Sequence, residues 1–263
     1  MTRKLQILSG MNGDLKADLI DSLRMMRTRW GVSGLKLSTE DAAMSLSQID
    51  YWICLCRDLL PVVVKIGGPN ARNDIRQLVH LNVDGLIAPM VESSFGLENF
   101  IEALRDYTTP LRFKALGKQI NIETETAAIQ LDSILSSPSA GFVDEITIGR
   151  KDLSRSMGLQ VEDPKIEVVV AEIVKKVQSK SINISIGGGI VPKTVDSTIR
   201  AHSPDQFNTR ILTFQVDSRQ SYFEAVRSAL EFEIMALKND TFRGFISREE
   251  EKSRTKELMK RLK

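Results

Sequence analysis

Eight short apolar runs recur along this chain, several closing on a Gly or a Ser, and amphipathic stretches separate most of them. The runs are Leu5–Ser9, Ser33–Ser38, Val62–Ile66, Gly85–Val91, Gln119–Thr124, Glu145–Gly149, Asn183–Gly187 and Phe207–Phe214. Several hold Val and Ile in succession, the pattern of strands covered on both faces. Helical spacing fills the intervals. Asp14–Arg29 carries Leu15, Leu19, Leu23 and Met26 three or four apart, and Lys165–Gln178 carries an Ile/Val stripe. Asn73–Leu81, Leu97–Leu104, Glu125–Leu135, Thr194–Ala201 and Ser221–Leu237 complete the series. Strand–helix repeats build parallel strands with right-handed crossovers. Eight of them in 263 residues match a (β/α)8 TIM barrel. An open doubly wound sheet would carry a Gly-rich phosphate turn after its first strand, and SGMNGD at Ser9–Asp14 lacks the GxGxxG spacing. The barrel is expected over residues 1–238. Residues 239–263 form a charged C-terminal extension, either a solvated helix or tail or a helix packed on a neighbouring subunit.

Charge and cysteine content narrow the function classes. Lys and Arg number 36 against 34 Asp and Glu, a net of +2, without the basic excess of a nucleic-acid binder. No run of about 18 apolar residues is present to span a membrane, and the N-terminal apolar stretch is too short for a signal peptide, so a cytoplasmic protein is expected. Cys54 and Cys56 lie two apart in a helical pattern, off a common face and without further ligands at metal spacing. They are expected to be buried, reduced thiols.

In a barrel of this kind, chemistry gathers at the carboxyl ends of the strands. Those ends carry Lys36, Ser38, Glu40 and Asp41; Lys65; Met90 and Glu92; Asn121 and Glu123; Gly149, Arg150 and Asp152; the Gly187–Gly189 triplet; and Thr209 and Arg210. Glu123 and Asp152 leave consecutive strands, which in a sheet run about 4.8 Å apart. Two such carboxylates can grip a hard dication and leave positions for water and a chelating substrate. By spacing alone they are equally open to being a loop charge and a helix N-cap. The glycines of IGGGIVP either free backbone N–H groups for an anion or let a βα turn pack tightly. Arg210 sits in an apolar strand, so it faces the mouth or pairs with an internal acid, because an unpaired buried charge is costly.

VVVKIGGPNARNDI, DGLIAPMVESSFGLENF, INIETETAAIQLDSI and VDEITIGRKDLSRSMG, in this order, resemble the HpcH/HpaI aldolase/citrate lyase β-subunit family of class II pyruvate-type aldolases, part of the phosphoenolpyruvate/pyruvate TIM-barrel superfamily. The likeness runs from about Gly34 to Phe214, and PMVES, the IET triplet and GRKDLS are its most specific pieces. It implies a TIM barrel and a homo-oligomer, trimeric or hexameric. It also implies Mg²⁺ or Mn²⁺ held by Glu123 and Asp152, and a 2-oxo or 3-hydroxy acid substrate handled through its enolate. Asn121 and Glu92, the backbone of Gly149, Arg150 and Lys151, and Arg210 fall at substrate-binding positions, with Glu92 a candidate partner of Lys65.

Two departures stand out. Lys65 occupies a position where many members carry Arg, and an ammonium lacks the bidentate fork of a guanidinium. After the second strand many members carry an acid–His pair, whereas here Glu40 is followed by Asp41. Glu40 and Asp41 resemble the acidic pair of the citrate lyase branch, and they equally suit a helix N-terminus. Lys65, Glu40 and Asp41 are therefore the expected catalytic set. A Schiff-base aldolase using Lys65 or Lys36, and a non-catalytic or scaffold barrel subunit of a biosynthetic pathway, are the alternatives.

Overall fold

The apolar runs become strands because Val and Ile fill a pleated surface covered on both sides, and the computed structural model, which describes residues 15–262, closes them into a barrel. Helix α1 (Leu15–Trp30) leads into β1 (Val32–Ser38). Then follow α2 (Leu46–Cys56), β2 (Val62–Lys65), α3 (Arg72–His80), β3 (Gly85–Ala88), α4 (Ser94–Tyr107), α5 (Pro110–Ala115) and β4 (Gly117–Ile122). Next come α6 (Glu125–Ile129), α7 (Leu131–Ser136), β5 (Glu145–Gly149), α8 (Arg150–Ser156), α9 (Pro164–Gln178), β6 (Asn183–Gly187), α10 (Val195–His202), β7 (Gln206–Asn208) and β8 (Leu212–Gln215). Helices α11 (Phe223–Phe242) and α12 (Arg248–Arg261) end the described chain. Helix α11 runs through residue 238, so the charged terminal helix starts at Arg248 rather than at 239.

Strands β1 to β7 pair in parallel, as the repeat predicts, but the closing strand does not. The expected strand Phe207–Phe214 is in fact two, and β8 runs antiparallel to both β7 and β1. The reason is the connection. Only Thr209, Arg210 and Ile211 separate the two strands, whereas a parallel return needs a dozen residues or more. Thr209 tightens the hairpin: its Oγ1 accepts from Leu212 N at 3.2 Å and its N–H donates to Leu212 O at 2.9 Å. The expected first strand, Leu5–Ser9, lies outside the described residues, as does the Ser9–Asp14 turn. Cys56 is buried as expected, its thiol pushed up to about 12 by burial, but Cys54 is exposed because the two face different sides of α2. Among the described residues no helix is long and apolar enough to cross a membrane.

Side chains alternate on β1, β4, β5 and β6. Leu35 and Leu37, Ile120 and Ile122, Ile146 and Ile148, and Ile184 and Ile186 are buried and belong to the apolar core. The intervening positions are polar. Asn208 Nδ2 donates to Ser185 Oγ at 2.6 Å and to Thr147 Oγ1 at 3.5 Å, and Thr213 Oγ1 donates to Asn208 Oδ1 at 2.6 Å. This layer links β5, β6, β7 and β8. Glu145 lies at its edge, 5% exposed, and burial lifts its carboxyl to about 7 despite a hydrogen bond from Thr147 and the charge of Lys36.

A folded-state pKa near 7 against 4.5 without the fold means that folded Glu145 keeps a proton the unfolded chain gives up. Stability from this group is complete below pH 4.5 and is lost as pH rises toward 7. Its share is on the order of 3 kcal/mol. Glu145→Gln is expected to flatten the fall in melting temperature between pH 5 and 7; a variant with an unchanged slope refutes this account.

Candidate active site

Glu123 is the residue that follows β4, and the β4–β5 register, with Ile122 opposite Ile148, brings it beside Gly149. The fit depends on the glycine: a Cβ at Gly149 would lie 2.6 Å from both Cβ and Oε2 of Glu123. Glu123 is 2% exposed. Its Oε1 accepts from the backbone N–H of Met90 and its Oε2 from Asn121 Nδ2, both at 3.1 Å. Met90 takes a left-handed φ of 52°, uncommon for a side chain of its size, and this turn aims its N–H at the carboxylate. Burial raises the Glu123 carboxyl above its usual range; the nearby Lys65 charge opposes this and the Asp152 charge adds to it. Asp152 lies in the first turn of α8, half-buried. Among the described residues neither carboxylate forms an ion pair within 4 Å.

On the other side of the mouth stands a cationic group. Lys65 ends β2, and its Nζ lies 2.8 Å from Glu40 Oε2. Burial works to lower the Lys65 pKa, but Glu123, Glu40 and Asp41 together raise it, so the amine stays protonated. That state is the reverse of what imine formation requires. Ser38 Oγ accepts from the N–H groups of Glu40 and Asp41, each at 3.1 Å, and holds the acidic pair at the end of β1. Burial alone would raise the Asp41 carboxyl; Ser38, Arg210, Lys65 and Lys36 hold it below the usual range. Arg210, in the β7–β8 hairpin, places Nε 3.7 Å from Asp41 and 3.8 Å from Glu233. It therefore both reaches the mouth and pairs with an internal acid.

One expected pairing changes, that of Glu92, and the side chains of Arg150 and Lys151 take no part at the mouth. Arg150 is buried with its guanidinium turned away from the mouth, donating to Thr198 Oγ1 at 2.8 Å and pairing with Glu167 at 3.3 Å; Glu167 also meets the buried His202 at 2.6 Å. Only the Arg150 backbone remains at the mouth, where a Cβ on Gly188 would come within 2.9 Å of its nitrogen and 2.4 Å of Lys151 N. The Lys151 side chain is exposed. Glu92 is exposed too, and its Oε1 accepts from Thr124 Oγ1 at 2.7 Å, so the partner of Lys65 is Glu40. Lys36, expected only as an alternative amine, lies on β1. By parity it shares the inward face of β1 with Ser38, between two core leucines.

The donor set suits a hard dication. Glu123 and Asp152 offer carboxylate oxygens, and the buried Asn121 Oδ1 has no hydrogen-bond partner. Among the described residues no group of three or more His, Cys, Asp or Glu is arranged to hold a metal ion, so an ion would rest on the two carboxylates and water, as Mg²⁺ commonly does.

The family model described as HpcH/HpaI aldolase/citrate lyase matches residues 38–196. No curated protein matches the chain. Among solved structures, an HpcH/HpaI aldolase from Desulfitobacterium hafniense is 16% identical, with a TM-score of 0.58 over 77% of this chain and 87% of that one. The citrate synthase SbnG is 16% identical, with a TM-score of 0.60 over 85% and 91%. An HpcH/HpaI aldolase/citrate lyase family protein from Burkholderia cenocepacia is 14% identical, with a TM-score of 0.60 over 81% and 89%. At these identities the structures speak for the fold.

Proposed function

Because the chain belongs to the HpcH/HpaI aldolase/citrate lyase family, we propose that it is a divalent-metal-dependent carbon–carbon lyase acting on a 2-oxo or 3-hydroxy acid of the pyruvate type. The observation that carries this reading is the Glu123 carboxylate, buried beside Asp152, fixed by two hydrogen bonds and free of any ion pair within 4 Å among the described residues. A buried acid without a cation is costly, and a dication relieves that cost.

Glu123 and Asp152 would hold Mg²⁺ or Mn²⁺, which supplies Lewis-acid stabilisation to negative charge developing on a substrate oxygen. The chain's own groups do the rest. Lys65, kept protonated by its acidic neighbours, offers a fixed positive charge to the same oxygen in a water-poor site. Asn121 holds Glu123 through its Nδ2 and keeps a buried Oδ1 without a hydrogen-bond partner. The backbone of Gly149, Arg150 and Lys151 offers N–H groups to the substrate carboxylate. Asp41, Glu40 and Arg210 border the space left for the acceptor part of the substrate. Self-association belongs to the same proposal, supported by the exposed Phe242 and Met259 on the terminal helices.

The test is proton exchange. Pyruvate in D₂O with the protein and Mg²⁺ or Mn²⁺ is expected to lose its methyl proton signal over time. EDTA is expected to stop the exchange and added metal to restore it. No exchange with metal supplied would instead favour a scaffold barrel.

A further inference from the structure

Glu123 dictates what can start the helix that carries Asp152. The N-cap position of α8 is Gly149, and it has to be glycine, because a Cβ there would lie 2.6 Å from Cβ and Oε2 of Glu123. A glycine has no side chain to accept from the first free N–H groups of a helix. Ser45, Ser93, Thr109, Thr124, Asp163 and Ser247 supply that bond to α2, α4, α5, α6, α9 and α12. At seven residues, α8 is also too short to hold itself together without tertiary contacts. A proposed ligand in its first turn therefore needs an anchor from elsewhere.

The next residue provides one. Arg150 is 5% exposed, and its guanidinium reaches from α8 to two other helices. Its Nη1 donates to Thr198 Oγ1 on α10 at 2.8 Å, and its Nη2 lies 3.3 Å from Glu167 Oε1 on α9. Glu167 is itself held, with Oε2 2.6 Å from Nε2 of the buried His202. On the other side the Gly188 turn packs against the Arg150 and Lys151 nitrogens so closely that it has no room for a Cβ. A buried ion pair is a poor source of stability, since desolvation offsets most of its Coulomb gain, and its best-attested use is to fix one arrangement among several. We infer that Arg150 is a positioning residue: through Thr198 and Glu167 it fixes the first turn of α8, and with it the Asp152 carboxylate beside Glu123. This rests on the proposed lyase reading and names the group that sets the metal affinity of that same site. Two carboxylates and water leave no spare protein ligand to absorb an error in the position of either, so a shift of α8 acts on the ion directly.

Calorimetric titration with Mn²⁺ alone is the test. Arg150→Met removes the guanidinium without stranding a buried charge, because Glu167 is partly exposed and keeps His202. It is expected to weaken Mn²⁺ binding about ten- to a hundredfold. Arg150→Lys keeps the charge but not the fork, and is expected to weaken it by a smaller factor; it carries the test should Arg150→Met fail to fold. Unchanged affinity in the variants that fold overturns the assignment. The control is Lys118→Met. That buried cation stands at the far end of β4 from Glu123, 3.2 Å from Asp144, so its loss costs stability without touching α8 and is expected to leave Mn²⁺ affinity unchanged. Equal weakening in the control would mean a general loss of stability and overturns the assignment too. Deuterium exchange into pyruvate separates position from chemistry. In Arg150→Met the wild-type rate is expected to return at saturating Mn²⁺ and pyruvate, with the loss confined to the metal concentration needed for half the maximal rate. A loss that saturation does not repair overturns the role. Amide hydrogen exchange of the metal-free protein needs no ion: residues 150–156 are expected to exchange about tenfold faster in Arg150→Met and at the wild-type rate in Lys118→Met, and no local change overturns the anchoring. If the unaltered protein binds no Mn²⁺, the lyase reading and this role fall together; if it binds and Arg150→Met binds equally well, only this role falls.

Discussion

Glu123→Gln is expected to abolish pyruvate exchange, by about a thousandfold or more, and to weaken Mg²⁺ or Mn²⁺ binding by at least about a hundredfold, while the melting temperature stays within a few degrees. The substitution keeps shape and removes one negative charge from the proposed donor pair. The fold should tolerate it for a local reason. The amide oxygen still accepts from Met90 N–H, and a rotated Asn121 can turn its unused Oδ1 toward the new NH₂. Losing a buried charge also removes a desolvation cost. Calorimetric titration with Mn²⁺ alone, beside the exchange assay, separates the two roles. Unchanged metal affinity in the variant would refute the assignment of Glu123, whatever happens to activity.

Gly188→Ala is expected to be the most damaging small substitution at the site. Gly188 has a φ of +74°, and its added Cβ would meet Lys151 N at 2.4 Å and Arg150 N at 2.9 Å. Those contacts are backbone, so no side chain can swing aside. The left-handed conformation costs about 1–2 kcal/mol for an alanine, and displacing α8 from β6 adds a similar or larger amount. A loss of about 3 kcal/mol in unfolding free energy is anticipated, together with loss of exchange, because Asp152 moves with α8. Denaturant titration measures the first and NMR the second. A variant with wild-type stability would show that the close approach of these loops is not required. Gly244, also at positive φ but with nothing within 4 Å of its added Cβ, offers the control: its alanine variant should show only the conformational cost.

The strand-end positions of the candidate site were legible before any coordinates. PMVES, IET and GRKDLS place Met90, Glu123 and Asp152 at successive strand ends; in the structure the Met90 N–H reaches the Glu123 carboxylate, and the Asp152 charge acts on that carboxylate. Such residues are legible because a strand end is a position along the chain, and the barrel maps position along the chain onto position around the mouth. Direction is a different matter. Arg150 precedes a candidate ligand by two residues, yet its long side chain turns back to Glu167 on α9. Glu92 follows a strand and satisfies Thr124 rather than Lys65. In each case the partner is remote in sequence, and no local pattern encodes which of several charges will be nearest.

From the chain alone came what depends on period and order: apolar runs that need cover on two faces, amphipathic spacers long enough to cross over, and a ring of strand ends bearing Lys65, Glu123 and Asp152. Only the folded molecule decided the pairings between distant elements. It turned β8 antiparallel because three residues cannot carry a crossover, and it gave Lys65 to Glu40. The physical reason is range: hydrophobic periodicity acts over neighbouring residues, whereas charge pairing and desolvation act over a few ångströms of space, whatever the separation in sequence.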